Sequence, residues 1–166
     1  PDFRQQMLCE KVTHLEALLF THEHADHTAG LDDIRPFFFR QGDIPIYAHK
    51  RVISELKRRF DYIFQTENRY PGAPAVEINE VVNNNPFKAN NLEFIPVDVL
   101  HGNLQVFEEE HYTHFNLEEA LAFVEELKPK KTYFTHISHL LGFHADVEKR
   151  LPENVHLAYD GLTLEI

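Results

Sequence analysis

The run Thr21-His22-Glu23-His24-Ala25-Asp26-His27 constrains this chain more than any other feature. It places four potential metal ligands within six residues, in the order H-x-H-x-D-H. Imidazole nitrogen and carboxylate oxygen are the donor set of zinc and similar divalent ions. So dense a cluster exceeds what a single catalytic ion needs, so the spacing points to two ions side by side and to hydrolytic chemistry. The run follows Glu16 to Phe20 (EALLF), whose length and flanks read as a short buried strand. It precedes Gly30, where a short helix is expected to begin. The ligands therefore fall on a strand-to-helix loop, a context that separates a metal motif from a solvated polar loop.

Composition narrows the setting. At 166 residues and 43% hydrophobic content, one domain over residues 1–166 is the expectation, with room for a core. No stretch of eighteen apolar residues exists to make a transmembrane helix. The opening PDFRQQMLCEK lacks the charged and apolar regions of a signal peptide. Its first residue, Pro1, reads as the edge of a trimmed chain. The single cysteine, Cys9, excludes an internal disulfide and fits a reducing, cytoplasmic compartment. The net charge of −11 opposes a nucleic-acid surface, which needs a basic stripe. It leaves an anionic substrate open, because bound divalent cations dominate their local field.

The elements alternate. Gly30 to Phe39 reads as a short helix interrupted near Pro36, Ile44 to Ala48 as a strand. Lys50 to Phe64 reads as a helix with Val52, Ile53, Leu56, Phe60 and Ile63 on its apolar face. Residues 66–91 read as a long loop with a strand at Ala75 to Ile78. Strands are expected at Leu92 to Val99, Leu104 to Phe107 and Lys131 to Phe134. Asn116 to Leu127 is a helix opened by an Asn116/Glu119 capping box, and Ala145 to Leu151 another helix. Val155 to Tyr159 and Leu162 to Ile166 form a hairpin about Asp160-Gly161. The alternation argues an α/β fold. Two later histidines stand at expected strand ends, His101 and His136, where a ligand is rigidly held yet open to solvent. Lys57-Arg58-Arg59 reads as the solvated face of a helix.

With the motif in place, the chain resembles the metallo-β-lactamase-fold hydrolases, whose hallmark is this H-x-H-x-D-H. Within them it is similar to the branch holding tRNase Z and the phosphoribosyl cyclic phosphodiesterase of phosphonate breakdown. Leu100-His101-Gly102, His114-Phe115-Asn116-Leu117, Thr135-His136-Ile137-Ser138-His139 and the closing Tyr159-Asp160-Gly161 carry that likeness. The resemblance implies a metallo-β-lactamase-like αββα sandwich that lacks its N-terminal strands and an internal segment. It implies two divalent metal ions, zinc or manganese. His22, His24 and His101 match the ligands of the first, Asp26, His27 and His136 those of the second. It also implies a metal-held hydroxide as nucleophile, Asp26 as its orienting group, and His114 as a catalytic residue facing the scissile phosphate. A homodimer is implied as well.

The chain departs from the family pattern at one point above all. A metal-bridging Asp should stand between His101 and His114, and no Asp occurs there. The strand-like Leu104 to Phe107 runs straight into Glu108-Glu109-Glu110. An internal segment is therefore expected to be missing near Phe107/Glu108. The leading functional expectation is a phosphodiesterase acting on a small or cyclic phosphodiester. The alternatives are a tRNA 3′-end endonuclease, disfavoured by the acidic charge; a thioester or lactam hydrolase of the same fold; and a non-catalytic metal-binding relative.

Overall fold

The computed structural model describes residues 2–98 and 115–164. It divides into two units, Pro1–Asp98 and Val99–Ile166. The first opens with α1 (Phe3–Cys9), whose N-cap Asp2 accepts a hydrogen bond from the Gln5 amide at 3.3 Å. A short strand β1 (Leu18–Phe20) follows. The chain then passes through α2 (Ala25–Thr28), a 3₁₀ turn (Ala29–Ile34) and α3 (Arg35–Gln41) into β2 (Ile44–His49). After it come α4 (Lys50–Arg59), α5 (Asp61–Phe64) and β3 (Val76–Val81).

The three strands form a parallel sheet in the order β1-β2-β3. Leu18 stands opposite Ile46, and Ile46 opposite Ile78. Parallel neighbours need crossovers longer than a hairpin, and the helical segments between the strands supply them. β2 turns Ile44, Ile46 and Ala48 inward at alternate positions, all fully buried. α4 lays Val52, Ile53 and Leu56 into the same core, at the three- and four-residue spacing that defines one helix face.

Three expectations change here. Pro36 does not kink a helix; it sits in the first turn of α3, where its missing N–H breaks no intrahelical bond. The helix expected over Lys50 to Phe64 breaks at Phe60 (φ −123°, ψ 42°). There Asp61 turns its carboxylate onto the Tyr62 amide at 2.8 Å, a local bond that competes with helix continuation. Residues 66–91 are not all loop, since β4 (Phe87–Ala89) pairs antiparallel with β5 (Leu92–Phe94). The Asn90-Asn91 link permits it, with Asn90 in the left-handed region at φ 52°. Phe87 and Phe94 stack across the pair at 5.4 Å, and Tyr47 of β2 stacks on Phe87 at 5.0 Å. The strand expected to reach Val99 stops at Phe94. The one expected at Leu104 to Phe107 lies outside the described residues.

In the second unit, α6 (Leu117–Leu127) carries the expected capping box. Asn116 Oδ1 accepts from the Glu119 amide and Glu119 Oε2 accepts from the Asn116 amide, both at 2.8 Å. Next come β6 (Thr132–Phe134), α7 (His144–Glu148) and β7 (Val155–Leu157). β7 pairs parallel with β6, Phe134 opposite Leu157. Among the described residues no hairpin forms about Asp160-Gly161: a turn is present, with Gly161 at φ 86° and the Leu162 amide on the Tyr159 carbonyl at 3.1 Å. Residues 162–164 belong to no strand. Pairing with β6 instead brings Leu157 beside Phe134 in a core with Leu117, Leu141 and Val147. No described helix is long and apolar enough to cross a membrane.

Candidate metal centre

β1 delivers the H-x-H-x-D-H run directly from its last residue, Phe20. Residues 21–24 form a loop and Asp26 and His27 fall on α2. His24 occupies the N-cap of α2 without making a capping hydrogen bond. Ser, Thr, Asn and Asp are the usual residues there, so local helix stability does not explain this histidine.

The run folds back on itself. The ring of His22 lies 5.0 Å from that of His24 and 4.3 Å from that of His27, centroid to centroid. Asp26 Oδ2 stands 3.3 Å from His27 Nε2. Ligand bonds of about 2.0–2.1 Å to one tetrahedral zinc put neighbouring donors roughly 3.3 Å apart, so this pair already has the separation of two donors to a common ion. Thr21 Oγ1 lies 3.0 Å from His22 Nδ1, the kind of outer contact that fixes an imidazole's orientation and leaves its other nitrogen to face a metal. That other nitrogen, His22 Nε2, is shielded from solvent, as is His27 Nε2. The donor types, their spacing and their shielding all fit a divalent ion.

A second layer of residues holds the loop in this shape, and the sequence did not reveal it. Thr28 is buried, and its hydroxyl donates to the His24 carbonyl at 3.0 Å. Arg59, at the end of α4, donates to the Glu23 carbonyl and to Thr28 Oγ1, the latter at 3.2 Å. Arg51, the second residue of α4, pairs with the Glu23 carboxylate at 3.2 Å. The basic stretch at residues 57–59 is thus only partly a solvated face: Arg58 pairs with Glu55 at 2.7 Å on the surface, while Arg59 clamps the ligand loop. The available signal was the pair of arginines eight residues apart, close to two helical turns. Further along, Tyr62 donates to Asp32 at 2.9 Å. Burial first, then that hydrogen bond, pushes the Tyr62 hydroxyl up to about 12, which keeps it a donor at neutral pH and ties α5 to the turn after the loop.

The other expected site residues divide. His136, in the second unit, follows β6 and is half-buried, with φ 59°. The left-handed region costs a non-glycine residue roughly 1–2 kcal/mol. Strain of this kind gathers at functional positions, and it falls on the one described residue of this unit expected to bind metal. His101 and His114 lie outside the described residues. So does the suspected junction at Phe107/Glu108.

Fold and site together define a mixed α/β protein with a preformed cluster of metal-donor side chains. The chain belongs to the beta-lactamase superfamily: residues 1–111 match the model of the beta-lactamase superfamily domain. A crystal structure of a diphosphatase from the PhnP family superposes with a TM-score of 0.79 at 31% identity, covering 100% of this chain and 77% of that one. An octanoyltransferase of Porphyromonas gingivalis is 29% identical over 199 residues, 98% of this chain but 40% of that protein. A beta-lactamase-like protein 2 homolog of Caenorhabditis elegans is 36% identical over 59 residues, 36% of this chain and 20% of that protein. The chain thus spans well under half the length of either curated relative. The likeness over the whole chain bears out the expected metallo-β-lactamase fold. The alignment with the Porphyromonas protein is longer than this chain, 199 positions against 166 residues, so at least 33 of its positions have nothing opposite them here.

Proposed function

We propose that this chain is a metal-dependent hydrolase that cleaves a phosphodiester or diphosphate bond in a small substrate. The observation that carries the reading is the folded donor loop, in which the His24 and His27 rings lie within 5.0 Å of the His22 ring and the Asp26 and His27 donors stand 3.3 Å apart. The PhnP-family diphosphatase supports the choice of phosphorus as the centre attacked. His22, His24, Asp26 and His27 are the residues of the first unit that would hold ions, zinc or manganese; the family likeness adds His101 and His136. When bound, such ions supply Lewis acidity toward the phosphoryl oxygens and a nucleophile at neutral pH.

The chain's own groups handle position and protons. Water adds to phosphorus as the bond to the leaving oxygen breaks. Asp26 orients the incoming oxygen through its carboxylate. His114, carried over from the family, returns a proton to the leaving oxygen. Arg59 and Thr28 keep the loop in its binding shape without touching substrate. We place the shortening of the chain relative to its relatives at Phe107/Glu108, which removes the carboxylate expected to join two ions. The surplus of positions in the Porphyromonas alignment supports a shortening of the chain; the placement rests on the sequence at Phe107/Glu108.

Hydrolysis of bis(p-nitrophenyl) phosphate with Mn²⁺ or Zn²⁺ tests the reading, together with metal content. Turnover that disappears in His22→Ala, with two ions bound to the parent chain, is the expected result. No turnover and no bound metal would establish a structural relative instead. A second reading, hydrolysis of an acyl thioester, draws on the name of the Porphyromonas relative. Cleavage of an octanoyl thioester in preference to the phosphodiester would replace the first reading with it.

A further inference from the structure

β1 and β2 run parallel with Phe20 opposite Ala48, so the donor loop and the start of α4 leave the same carboxyl edge of the sheet. In open α/β sheets the carboxyl ends of the strands border the ligand crevice. Beside the donor loop this edge carries three consecutive side chains to which the hydrolytic reading gives no contact with substrate: His49, which ends β2, and Lys50 and Arg51, which begin α4. All three are exposed. The Arg51 guanidinium stands 3.2 Å from the carboxylate of Glu23, the residue between His22 and His24. That contact sets the cation against the donor loop.

Helix stability does not explain these residues. Cations in the first turn of a helix oppose its macrodipole, and the first turn of α4 holds no acidic residue to offset them. Ion pairing does not explain Lys50, whose ammonium meets no carboxylate among the described residues. Arg51 gives Glu23 only part of its fork: the side chain is 65% exposed, and a guanidinium has five N–H donors. His49 Nδ1 accepts from the Arg51 amide at 3.3 Å, so the ring proton sits on Nε2, a further outward donor. In a chain whose net charge is −11, two adjacent cations beside the donor loop reverse the prevailing sign.

The donor loop serves one phosphoryl group through the ions it holds. A separate pair of cations suits a second one, which arginine meets with a planar fork and lysine as a point charge. We propose that Lys50 and Arg51 are specificity-determining residues that hold a second phosphate of the substrate, beside the group that is cleaved, with His49 as a neutral donor at the same place. The proposal deepens the hydrolytic reading and rests on it for the chemistry, though binding can be tested without turnover.

Isothermal titration of the intact, metal-loaded chain with propyl phosphate and with propane-1,3-diyl bisphosphate isolates the second phosphate on a flexible spacer. The bisphosphate is expected to bind at least about tenfold more tightly. Lys50→Glu should bring the two affinities to within about threefold of each other, while Lys50→Arg, which keeps the charge, retains the preference. Lys57→Glu makes the same change of charge about 10 Å further along α4, roughly a Debye length away, and should retain it too. Equal affinity of the parent chain for the two ligands overturns the proposal, whether or not the variants fold. So does a preference that survives Lys50→Glu, or one that Lys57→Glu abolishes as fully, which would trace it to net charge alone. A chain that shows the preference but never hydrolyses bis(p-nitrophenyl) phosphate keeps the cationic edge and loses the hydrolase reading; turnover without the preference keeps the hydrolase and loses the edge.

Discussion

The two units build their candidate functional surfaces in opposite ways. In the first, four ligand side chains lie within six residues, and one loop after β1 needs only to curl to gather them. In the second, the hollow beside His136 is assembled from the segment after β6, α7, β7 and the turn after it, residues up to 25 positions apart between Thr135 and Asp160. Local adjacency makes a site visible in sequence; long-range pairing hides it. The difference also predicts where each is vulnerable: the first to loss of a single donor or of its clamp, the second to loss of backbone geometry.

The sharpest break in the comparison is removal of a donor. His22→Ala should release metal and lower phosphodiester turnover by more than about a hundredfold, since even outer contacts to metal ligands are worth ten- to a hundredfold. Elemental analysis alongside turnover checks it. Unchanged metal content would show that the run is not the ligand set.

The clamp comes next. Arg59→Ala removes two hydrogen bonds to the loop, both made by Nη1, one to the Glu23 carbonyl and one to Thr28 Oγ1. Metal affinity should fall by roughly tenfold to a hundredfold, with a folded chain whose metal-free stability changes by no more than about 1 kcal/mol. Arg59→Lys should recover part of the loss, because an ammonium keeps the charge and the donors but sits on a more flexible stem than the planar guanidinium whose Nη1 serves both acceptors. Competition with a chelator measures it. Equal affinity in the Ala variant and the parent would return Arg59 to the solvated face.

The same contrast explains what could be read from residues alone. The β1 strand, the donor loop, β2 and the capped helix α6 were legible because each rests on neighbours in sequence: apolar periodicity, ligand spacing, or the Asn116/Glu119 reciprocity. The Asp160-Gly161 turn was equally legible, yet among the described residues no hairpin is built on it. Turn chemistry cannot report that Leu157 gains more by lying beside Phe134 in a shared core. Arg59 was misread for a related reason. Its partners Glu23 and Thr28 are 36 and 31 positions away, and a basic triplet on a helix looks the same in either role. The break at Phe60 and the β4–β5 pair also depend on short-range bonds, but on ones with weak sequence signatures.

A third prediction tests whether backbone geometry is indeed the weak point of the second unit. His136 sits at φ 59°, where glycine is unstrained and a Cβ is not. His136→Gly should therefore be more stable to urea than His136→Ala by about 1 kcal/mol. At an ordinary position the alanine variant is favoured by a similar amount. Neither should restore metal binding lost with the imidazole. The ordinary order, with alanine more stable, would mean that the left-handed conformation is not retained in solution.

The smallest effect concerns the anchoring of β7. The Leu157 amide, helped by His156, holds the Glu148 carboxyl below its ordinary range against the opposing effect of burial. The folded chain thus binds fewer protons at this group than the unfolded chain does near pH 4.5. Linkage then makes stability rise with pH through that window. The contribution is present above the unfolded carboxyl's pKa and is lost as pH falls through the folded one. Glu148→Gln carries no such titration, so the gap in thermal midpoint between parent and variant should be widest near neutral pH and close as acid is added. Glu148 and His156 are each about one-third exposed, so solvent screens the pair and keeps the gap small. A gap of constant width from pH 7 to pH 3 would show that the carboxylate's charge plays no part in holding α7 to β7.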